Sequence, residues 1–363
     1  MGLIKRALTQ TPEEYKRSVD KGLSRAFEEA ERDSRRLSDL RAVIFSDLHR
    51  GSRDGADDFE RCEPAYSAAL GSYLERGFEL WLLGDIEELW ENDISEVIPS
   101  YDALLDIELA FHAGAGLRRF FGNHDLFWNW KTYAADNLPG LAVAEALRLQ
   151  ILDDADQPLG MLFLVHGHQG TDFSERHPWL SRLLLRRAWR PIQRAMGFLS
   201  TTPAENHNLR FKHDKALYEW ARERVVQGER DERPVLIAGH THHPVFPGKP
   251  PKQPDSEDVA RLEEQLRAAR ESGAPAEQRQ RIAAELELAR AIGRKEPYDP
   301  SDIDPPCYFN TGCCCFPDRD VTCLELADGQ VRLVRWLDDS EQPVPKLLAS
   351  ESLSKVLAQV RSA

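Results

Sequence analysis

Five short apolar segments of this sequence each end in side chains that commonly bind divalent metal ions. These side chains are Asp47 and His49, Asp85, Asn123 with His124 and Asp125, His166 with His168, and His240 with His242. In the Asp-x-His and His-x-His pairs, alternate residues of an extended segment face the same side, so both members of a pair can face one site. Carboxylate, amide and imidazole ligands together suit borderline divalent ions such as manganese, iron and zinc. The spacing therefore predicts a metal site.

The apolar segments have the composition of β-strands. Those before the polar groups are AVIFS, ELWLL, LRRFF, MLFLV and PVLIA, and later strand candidates are CYFN, VTCLEL and QVRLVRW. Residues 64–76 and 101–113 have helical spacing, which predicts a β-α-β alternation near the start of the domain. Open α/β sheets bind ligands at the carboxyl ends of their strands, so the polar groups are expected to converge there.

Taken singly, each polar group is more often structural than functional, because aspartates in turns and buried histidines are common. Five such groups in order, each after an apolar strand, predict one joint metal site. The series Asp-x-His, Gly-Asp, Gly-Asn-His-Asp, His and Gly-His-x-His resembles the calcineurin-like metallophosphoesterase family over roughly residues 41–340. The resemblance implies an α/β (α+β) fold, a four-layer β-sandwich flanked by helices, with the site at the strand ends.

The resemblance also implies the ligands of two divalent ions, which would be manganese, with iron or zinc as alternatives. The first ion would be held by Asp47, His49, Asp85 and His242, and the second by Asp85, Asn123, His166 and His240. Asp85 would then bridge the ions. A hydroxide held between the ions would attack phosphorus in line with the leaving group. Of the two histidines in His166-Gly167-His168, His166 is predicted to be the ligand because it follows the strand directly.

The resemblance implies roles for His124 and Asp125, and the choice of His166 as ligand leaves His168 in a supporting or substrate-facing position. His124 would protonate the leaving oxygen or stabilise the phosphoryl charge, and Asp125 would orient it. The alternative is that His124 only forms hydrogen bonds around the metal ligands. His168 would either support the ligands or face the substrate.

The stretch from Gly84 to Asp93 is similar to the G-D-x-x-E-x-W-x-x-D motif of the UDP-2,3-diacylglucosamine pyrophosphohydrolases. A basic segment between the fourth and fifth polar groups is a second point of similarity. Those enzymes typically have Gly-Asn-Arg-Asp and His-Gly-Asp where this chain has Gly-Asn-His-Asp and His-Gly-His. A nucleotide-sugar or lipid-linked pyrophosphate is therefore one substrate hypothesis. A general phosphomonoesterase or phosphodiesterase, a nucleotide phosphodiesterase or nuclease, and a non-catalytic scaffold of the same fold remain open.

The remaining segments are assigned as additions to a domain over residues 41–340. Residues 1–40 are predicted to be a charged helical extension, residues 174–225 a helical cap, residues 250–300 a helical hairpin, and residues 341–363 a C-terminal tail. Cap arginines, Arg182 and Arg186 among them, would bind substrate phosphates, or residues 176–198 would contact an anionic membrane surface. A solvated helix face explains the same charges.

The net charge limits the kinds of substrate that are expected. The net charge of −14 disfavours extended duplex nucleic acid, so a small phosphorylated substrate is expected. Without an apolar leader or a long apolar run, a cytoplasmic location is the default expectation.

The six cysteines are clustered and are expected to be reduced thiols. A zinc site at Cys313, Cys314 and Cys315 is the disfavoured alternative, because neighbouring strand residues face opposite sides and no C-x-x-C pair accompanies them.

Overall fold

The computed structural model describes residues 11–171, 207–248, 303–316, 318–338 and 343–363, together with 263–264, 266–270, 279, 282–283 and 286. The chain divides into two compact units, residues 1–246 with 304–363, and residues 247–303. In the second unit, the described residues between 263 and 286 are helical, and Leu266, Ala269 and Leu286 are buried. The rest of the predicted hairpin, and residues 174–206 of the predicted cap, lie outside the described residues.

The first unit is an α/β structure with two mixed sheets. Its strands are β1 (Glu31–Arg36), β2 (Ala42–Phe45), β3 (Glu79–Leu83), β4 (Leu117–Phe120), β5 (Val143–Ala144), β6 (Ala146–Leu152), β7 (Pro158–Val165), β8 (Pro234–Ala238), β9 (Tyr308–Asn310), β10 (Val321–Ala327), β11 (Gln330–Leu337) and β12 (Val344–Ser352). Its helices are α1 (Pro12–Glu29), α2 (Glu63–Glu75), α3 (Ile94–Ser100), α4 (Asp102–Ala113), α5 (Lys131–Asn137), α6 (His207–Gln227) and α7 (Leu353–Ser362). Among the described residues, no helix combines the length and the apolar composition needed to cross a bilayer.

The strand order places the polar groups at the carboxyl ends of neighbouring strands in each of the two sheets. One sheet has the order β12-β11-β10-β2-β3-β4-β5, and the other has the order β1-β6-β7-β8-β9. The strands β2, β3, β4 and β5 pair in parallel, as do β7, β8 and β9. All of the strands predicted from apolar segments are present. The carboxyl ends of β2, β3 and β4 therefore lie side by side, as do those of β7 and β8.

The central strands are buried because their residues are apolar on both faces. All four residues of β2 are buried, which is typical of a parallel strand covered by helices. On one face, Val43 and Phe45 pack with Tyr66, Leu70 and other residues of α2 in one apolar cluster. The predicted helices at residues 64–76 and 101–113 form α2 and α4.

The N-terminal segment contains a helix, as predicted, but it also contains a strand. Helix α1 begins at a capping box formed by Thr11 and Glu14, and it buries Val19, Leu23 and Phe27 along one face. Residues 31–36 then form β1, a mostly exposed edge strand that pairs with β6. The sequence ERDSRR has no apolar residues, so a hydrophobicity pattern does not predict this strand. Its backbone pairing places it in the sheet.

The C-terminal segment also belongs to the sheet. Residues 344–352 form β12, which pairs antiparallel with β11, and the following helix α7 buries Leu353, Val356, Leu357 and Val360. Much of β12 is exposed, so its sequence lacks the apolar run of a central strand. The predicted tail is therefore ordered by strand pairing and by one apolar helix face.

A buried network of two arginines and two glutamates ties the loops after β2 and β3 to helix α4. Arg50 lies 2.8 Å from Glu108 and 2.7 Å from Glu87, and Arg119 lies 2.7 Å from Glu87 and 3.5 Å from Glu108. All four side chains are 1% exposed. Because Arg50 and Glu87 each lie close to a predicted metal ligand in sequence, the network holds two ligand loops against one another.

Replacing Glu108 with glutamine is expected to lower the free energy of unfolding by about 3–5 kcal/mol, since it leaves buried arginine charge uncompensated. Urea unfolding followed by circular dichroism measures the change. Asp106→Asn, on an exposed position of the same helix, is the control and should shift stability by less than about 0.5 kcal/mol. Equal stability of the two variants would contradict a structural role for the network.

Candidate metal centre

The backbone turns sharply where the predicted ligands leave their strands. A positive φ angle is found at Asp47 (54°), His49 (53°), Asp85 (53°), His240 (69°) and His242 (56°). Residues other than glycine rarely adopt this left-handed conformation, which is strained and concentrates at functional sites. Backbone hydrogen bonds from Asp47 to Gly84 and from His49 to Asp85, at 3.1 and 2.9 Å, join the first two loops. The fold thus maintains costly backbone angles at five of the seven predicted ligands.

One group of ligand atoms is formed by Asp47, His49 and His242. The Nε2 atoms of His49 and His242 are 3.2 Å apart, and Nε2 of His242 is 3.3 Å from Oδ1 of Asp47. Nε2 of His49 is 3.9 Å from the same oxygen. These side chains come from the ends of β2 and β8, which belong to different sheets, and their donor atoms lie close enough together to hold one metal ion.

A second group is formed by Asp85, His166 and His240. Nε2 of His166 is 3.0 Å from Oδ2 of Asp85, and the rings of His166 and His240 have centroids 5.2 Å apart. The same Asp85 oxygen is 3.8 Å from Nε2 of His49 in the first group. Asp85 therefore lies between the two groups.

Unsatisfied polar atoms show that this donor set suits a cation. Nδ1 of His166 donates to the carbonyl oxygen of Leu83, 2.8 Å away, so the ring carries its lone pair on Nε2 when it is neutral, as metal binding requires. That lone pair faces Asp85, and Nε2 has no hydrogen-bond partner among the described residues. The buried Oδ1 of Asn123 also lacks such a partner. Lone pairs left facing one another in a buried site are compatible with a metal ion between them.

The ionisation of the cluster indicates a preference for positive charge. Burial alone would raise the pKa of Asp85, but the imidazoles of His166 and His124 lower it well below its usual range. Burial alone would lower the pKa of His166, but Asp85 and Asp47 raise it to about 9. The carboxylates thus favour the protonated form of His166. A divalent ion would replace that proton, because metal binding requires a deprotonated ligand.

The structure places a different carboxylate beside His124 from the one predicted. Oε2 of Glu88 is 2.6 Å from Nδ1 of His124 and 3.1 Å from Nδ1 of His49. The carboxylate of Asp125 instead accepts backbone N–H groups of Gly122 and Ile86, at 2.6 and 2.8 Å. Asp125 therefore contacts the loops that carry Asn123 and Asp85, and Glu88 is the carboxylate that contacts the His124 ring.

The sequence motif around Asp85 already included Glu88, although the prediction assigned the contact with His124 to Asp125. Glu88 and Trp90 are the Glu and Trp of the G-D-x-x-E-x-W stretch. The Trp90 ring stacks on His124 with centroids 4.1 Å apart and planes inclined by 18°. The pKa of Glu88 is lowered to about 2, because His124 and His49 outweigh the burial that would raise it. His124 is thus held between an ionised carboxylate and an aromatic face.

Of the predicted substrate residues, only His168 lies in the described part of the chain. It is 4% exposed, and its ring is 5.4 Å from that of His166 and 6.4 Å from that of His240, measured between centroids. Burial and the neighbouring His166 lower its pKa to about 3. His168 is therefore a buried, neutral histidine whose ring packs near the rings of His166 and His240. Arg182 and Arg186 lie outside the described residues.

Supporting residues from α1 and α6 also reach the site. Nε2 of His213 donates a hydrogen bond to the carbonyl oxygen of Gly167, 2.7 Å away. In the neutral ring, Nδ1 then accepts a hydrogen bond from the hydroxyl of Tyr15, 2.6 Å away. Asp214 accepts a 2.9 Å hydrogen bond from Thr241, which lies between His240 and His242. Helix α6 therefore positions both ligand loops of the five-stranded sheet, and α1 positions α6.

Comparison with known proteins adds no further resemblance. A scan of the sequence against protein-family models matches no family, and a search of curated proteins finds no match. The structure establishes a mixed α/β fold with buried histidine and aspartate clusters that could hold metal ions. The resemblance to metallophosphoesterases rests on the five motifs and is compatible with this geometry.

Proposed function

We propose that this protein is a phosphoester hydrolase that uses two divalent metal ions. The observation that carries the proposal is the position of Asp85 between two groups of buried ligand atoms that come from both sheets. Asp47, His49 and His242 would hold one ion with Asp85, and His166, His240 and Asn123 would hold the other with Asp85. Two such ions activate water as a nucleophile and neutralise charge on the phosphoryl oxygens.

The protein's own residues supply the proton for the leaving group in this proposal. Glu88 stays ionised and accepts a hydrogen bond from Nδ1 of His124, which fixes the orientation of the ring. Nε2 of His124 is then the nitrogen that donates a proton to the leaving oxygen. Stacking on Trp90 fixes the plane of the ring and limits the directions in which that proton points. A fixed direction is what general acid catalysis requires.

The substrate class proposed first is a pyrophosphate of a nucleotide sugar or of a lipid-linked compound. Its support is the Gly84–Asp93 stretch, in which Glu88 and Trp90 both contact His124. A general phosphomonoesterase or phosphodiesterase is the second candidate. Its support is Gly-Asn-His-Asp, where the more specific enzymes have Gly-Asn-Arg-Asp.

The test is elemental analysis followed by assays with added Mn²⁺ on purified full-length protein. The panel is p-nitrophenyl phosphate, bis-p-nitrophenyl phosphate, and nucleoside-diphosphate sugars with and without acyl chains. Preferred cleavage of an acylated nucleotide sugar supports the first substrate class, and preferred cleavage of a simple ester supports the second. Bound metal with no turnover on the whole panel would favour a non-catalytic scaffold.

Glu88→Gln is expected to lower kcat by about a hundredfold on substrates with a basic leaving group, because it weakens the general acid. The loss should be much smaller for p-nitrophenyl esters, whose leaving group needs little protonation. KM and metal content at saturating Mn²⁺ should stay close to those of the wild type. Glu75→Gln, on an exposed position of α2, is the matched control.

Equal losses on good and poor leaving groups, together with lost metal, would contradict this role. Glu88 would then act only through His49, and His124 would be a hydrogen-bonding residue around the ligands. Comparing His124→Gln on the same two substrate types completes the test, since it should reproduce the leaving-group dependence.

A further inference from the structure

Two thiols lie beside His242, one of the candidate ligands of the metal centre. Sγ of Cys313 is 3.4 Å from Sγ of Cys315, and Sγ of Cys315 is 3.7 Å from Nδ1 of His242. The three donor atoms all lie within 4.8 Å of one another. Cys313 and Cys315 are two residues apart and share a side, whereas Cys314 points into the apolar core and contacts the carbonyl oxygen of Thr322.

Two of the three separations are close to the edges of a tetrahedral zinc site. Zinc binds sulfur at about 2.3 Å and imidazole nitrogen at about 2.0–2.1 Å, so tetrahedral angles place the two sulfurs about 3.8 Å apart and sulfur and nitrogen about 3.5 Å apart. The observed distances of 3.4 and 3.7 Å differ from these by a few tenths of an ångström. A disulfide requires sulfurs about 2.05 Å apart, which is a larger rearrangement.

We propose that Cys313, Cys315 and Nδ1 of His242 form a binding site for one thiophilic divalent ion, such as zinc, cadmium or cobalt. Binding exchanges two S–H bonds for two metal–sulfur bonds, and the two protons pass to solvent. Thiolates select softer ions than the carboxylates of the neighbouring groups do. Cys315 is only partly buried, so a water molecule can reach the fourth position.

The ring of His242 links this site to the candidate metal centre. Its Nε2 faces His49 and Asp47, and its Nδ1 faces Cys315. A neutral imidazole offers one lone pair, so an ion bound through Nδ1 withdraws His242 from the carboxylate side. This consequence rests on the proposed function. Under that function, a thiophilic ion is an inhibitor that acts through a shared ligand.

The experiment is a titration of metal-free, reduced full-length protein with Co²⁺, followed by the thiolate-to-cobalt charge-transfer absorption in the near ultraviolet. The band is expected in the wild type and lost in the Cys313→Ser/Cys315→Ser double variant. Cys314→Ala is the matched control and should keep it, since that thiol faces the core. Asp85→Asn should also keep it, because its substitution leaves both thiols and His242 in place.

Absence of the band in the wild type, or an equal band in the double variant, would overturn the site. A mass loss corresponding to a disulfide between the two cysteines under reducing conditions would overturn it as well. If the wild type shows the band but hydrolyses nothing on the phosphoester panel, the metal site stands and the proposed function fails. If it does hydrolyse phosphoesters, half-inhibition by Cd²⁺ should need about tenfold more metal in the double variant.

Discussion

Asp85→Asn is expected to lower phosphoester turnover at least about a thousandfold at saturating Mn²⁺, because charge stabilisation by metal ions contributes several kcal/mol and each 1.36 kcal/mol is tenfold in rate. The substitution keeps the shape of the side chain and removes its charge. Oδ2 of Asp85 is 3.0 Å from His166 and 3.8 Å from His49, so one change weakens both ligand groups. Elemental analysis of the same sample should show less metal per chain than in the wild type.

Asp136→Asn provides the control, since Asp136 is an exposed carboxylate on α5. It should leave turnover and metal content unchanged. Far-ultraviolet circular dichroism separates lost chemistry from lost folding, because the Asp85 variant should keep the wild-type spectrum. Wild-type turnover in the Asp85 variant would remove the basis for a shared carboxylate between two ions.

Gly122→Ala is expected to damage the metal centre through sterics alone. A methyl group at Gly122 would overlap Oδ1 of Asp85 and lie 2.7 Å from the backbone nitrogen of the same residue. Neither contact is sterically possible, so Asp85 must move, and Gly122 also donates its N–H to Asp125. Overpacking of this kind costs about 1–3 kcal/mol of stability, and we expect metal affinity to fall at least about tenfold.

Gly71→Ala is the matched substitution, because Gly71 lies within α2 and an added methyl group would meet no atom within 4 Å. It should raise the free energy of unfolding by about 0.5–1 kcal/mol, since alanine is the better helix former. Urea unfolding and Mn²⁺ titration of both variants make the comparison. If Gly122→Ala bound metal as tightly as Gly71→Ala, close packing of Gly122 against Asp85 would not be required for metal binding.

The sequence alone determined the strands that carry the predicted ligands and the order in which those ligands occur. Each strand is an apolar run followed at once by Asp, Asn or His, so both parts of the signal lie within a few residues of one another. Parallel strands bring their carboxyl ends together, and convergence of the groups follows from this rule. The strands not predicted were β1, β5, β6 and β12; in the exposed strands β1 and β12, charged or polar side chains conceal the backbone pairing.

Only the tertiary structure decided which side chains support the ligands. Asp125 is adjacent to His124 in sequence, yet Glu88, on the loop after a neighbouring strand, contacts its ring. Cys315 meets His242 from a segment 73 residues away, and Tyr15 meets His213 across 198 residues. These contacts depend on how the two sheets and helices α1 and α6 pack. A local pattern specifies which groups a strand presents, whereas the partner of each group is set by whatever the fold brings beside it.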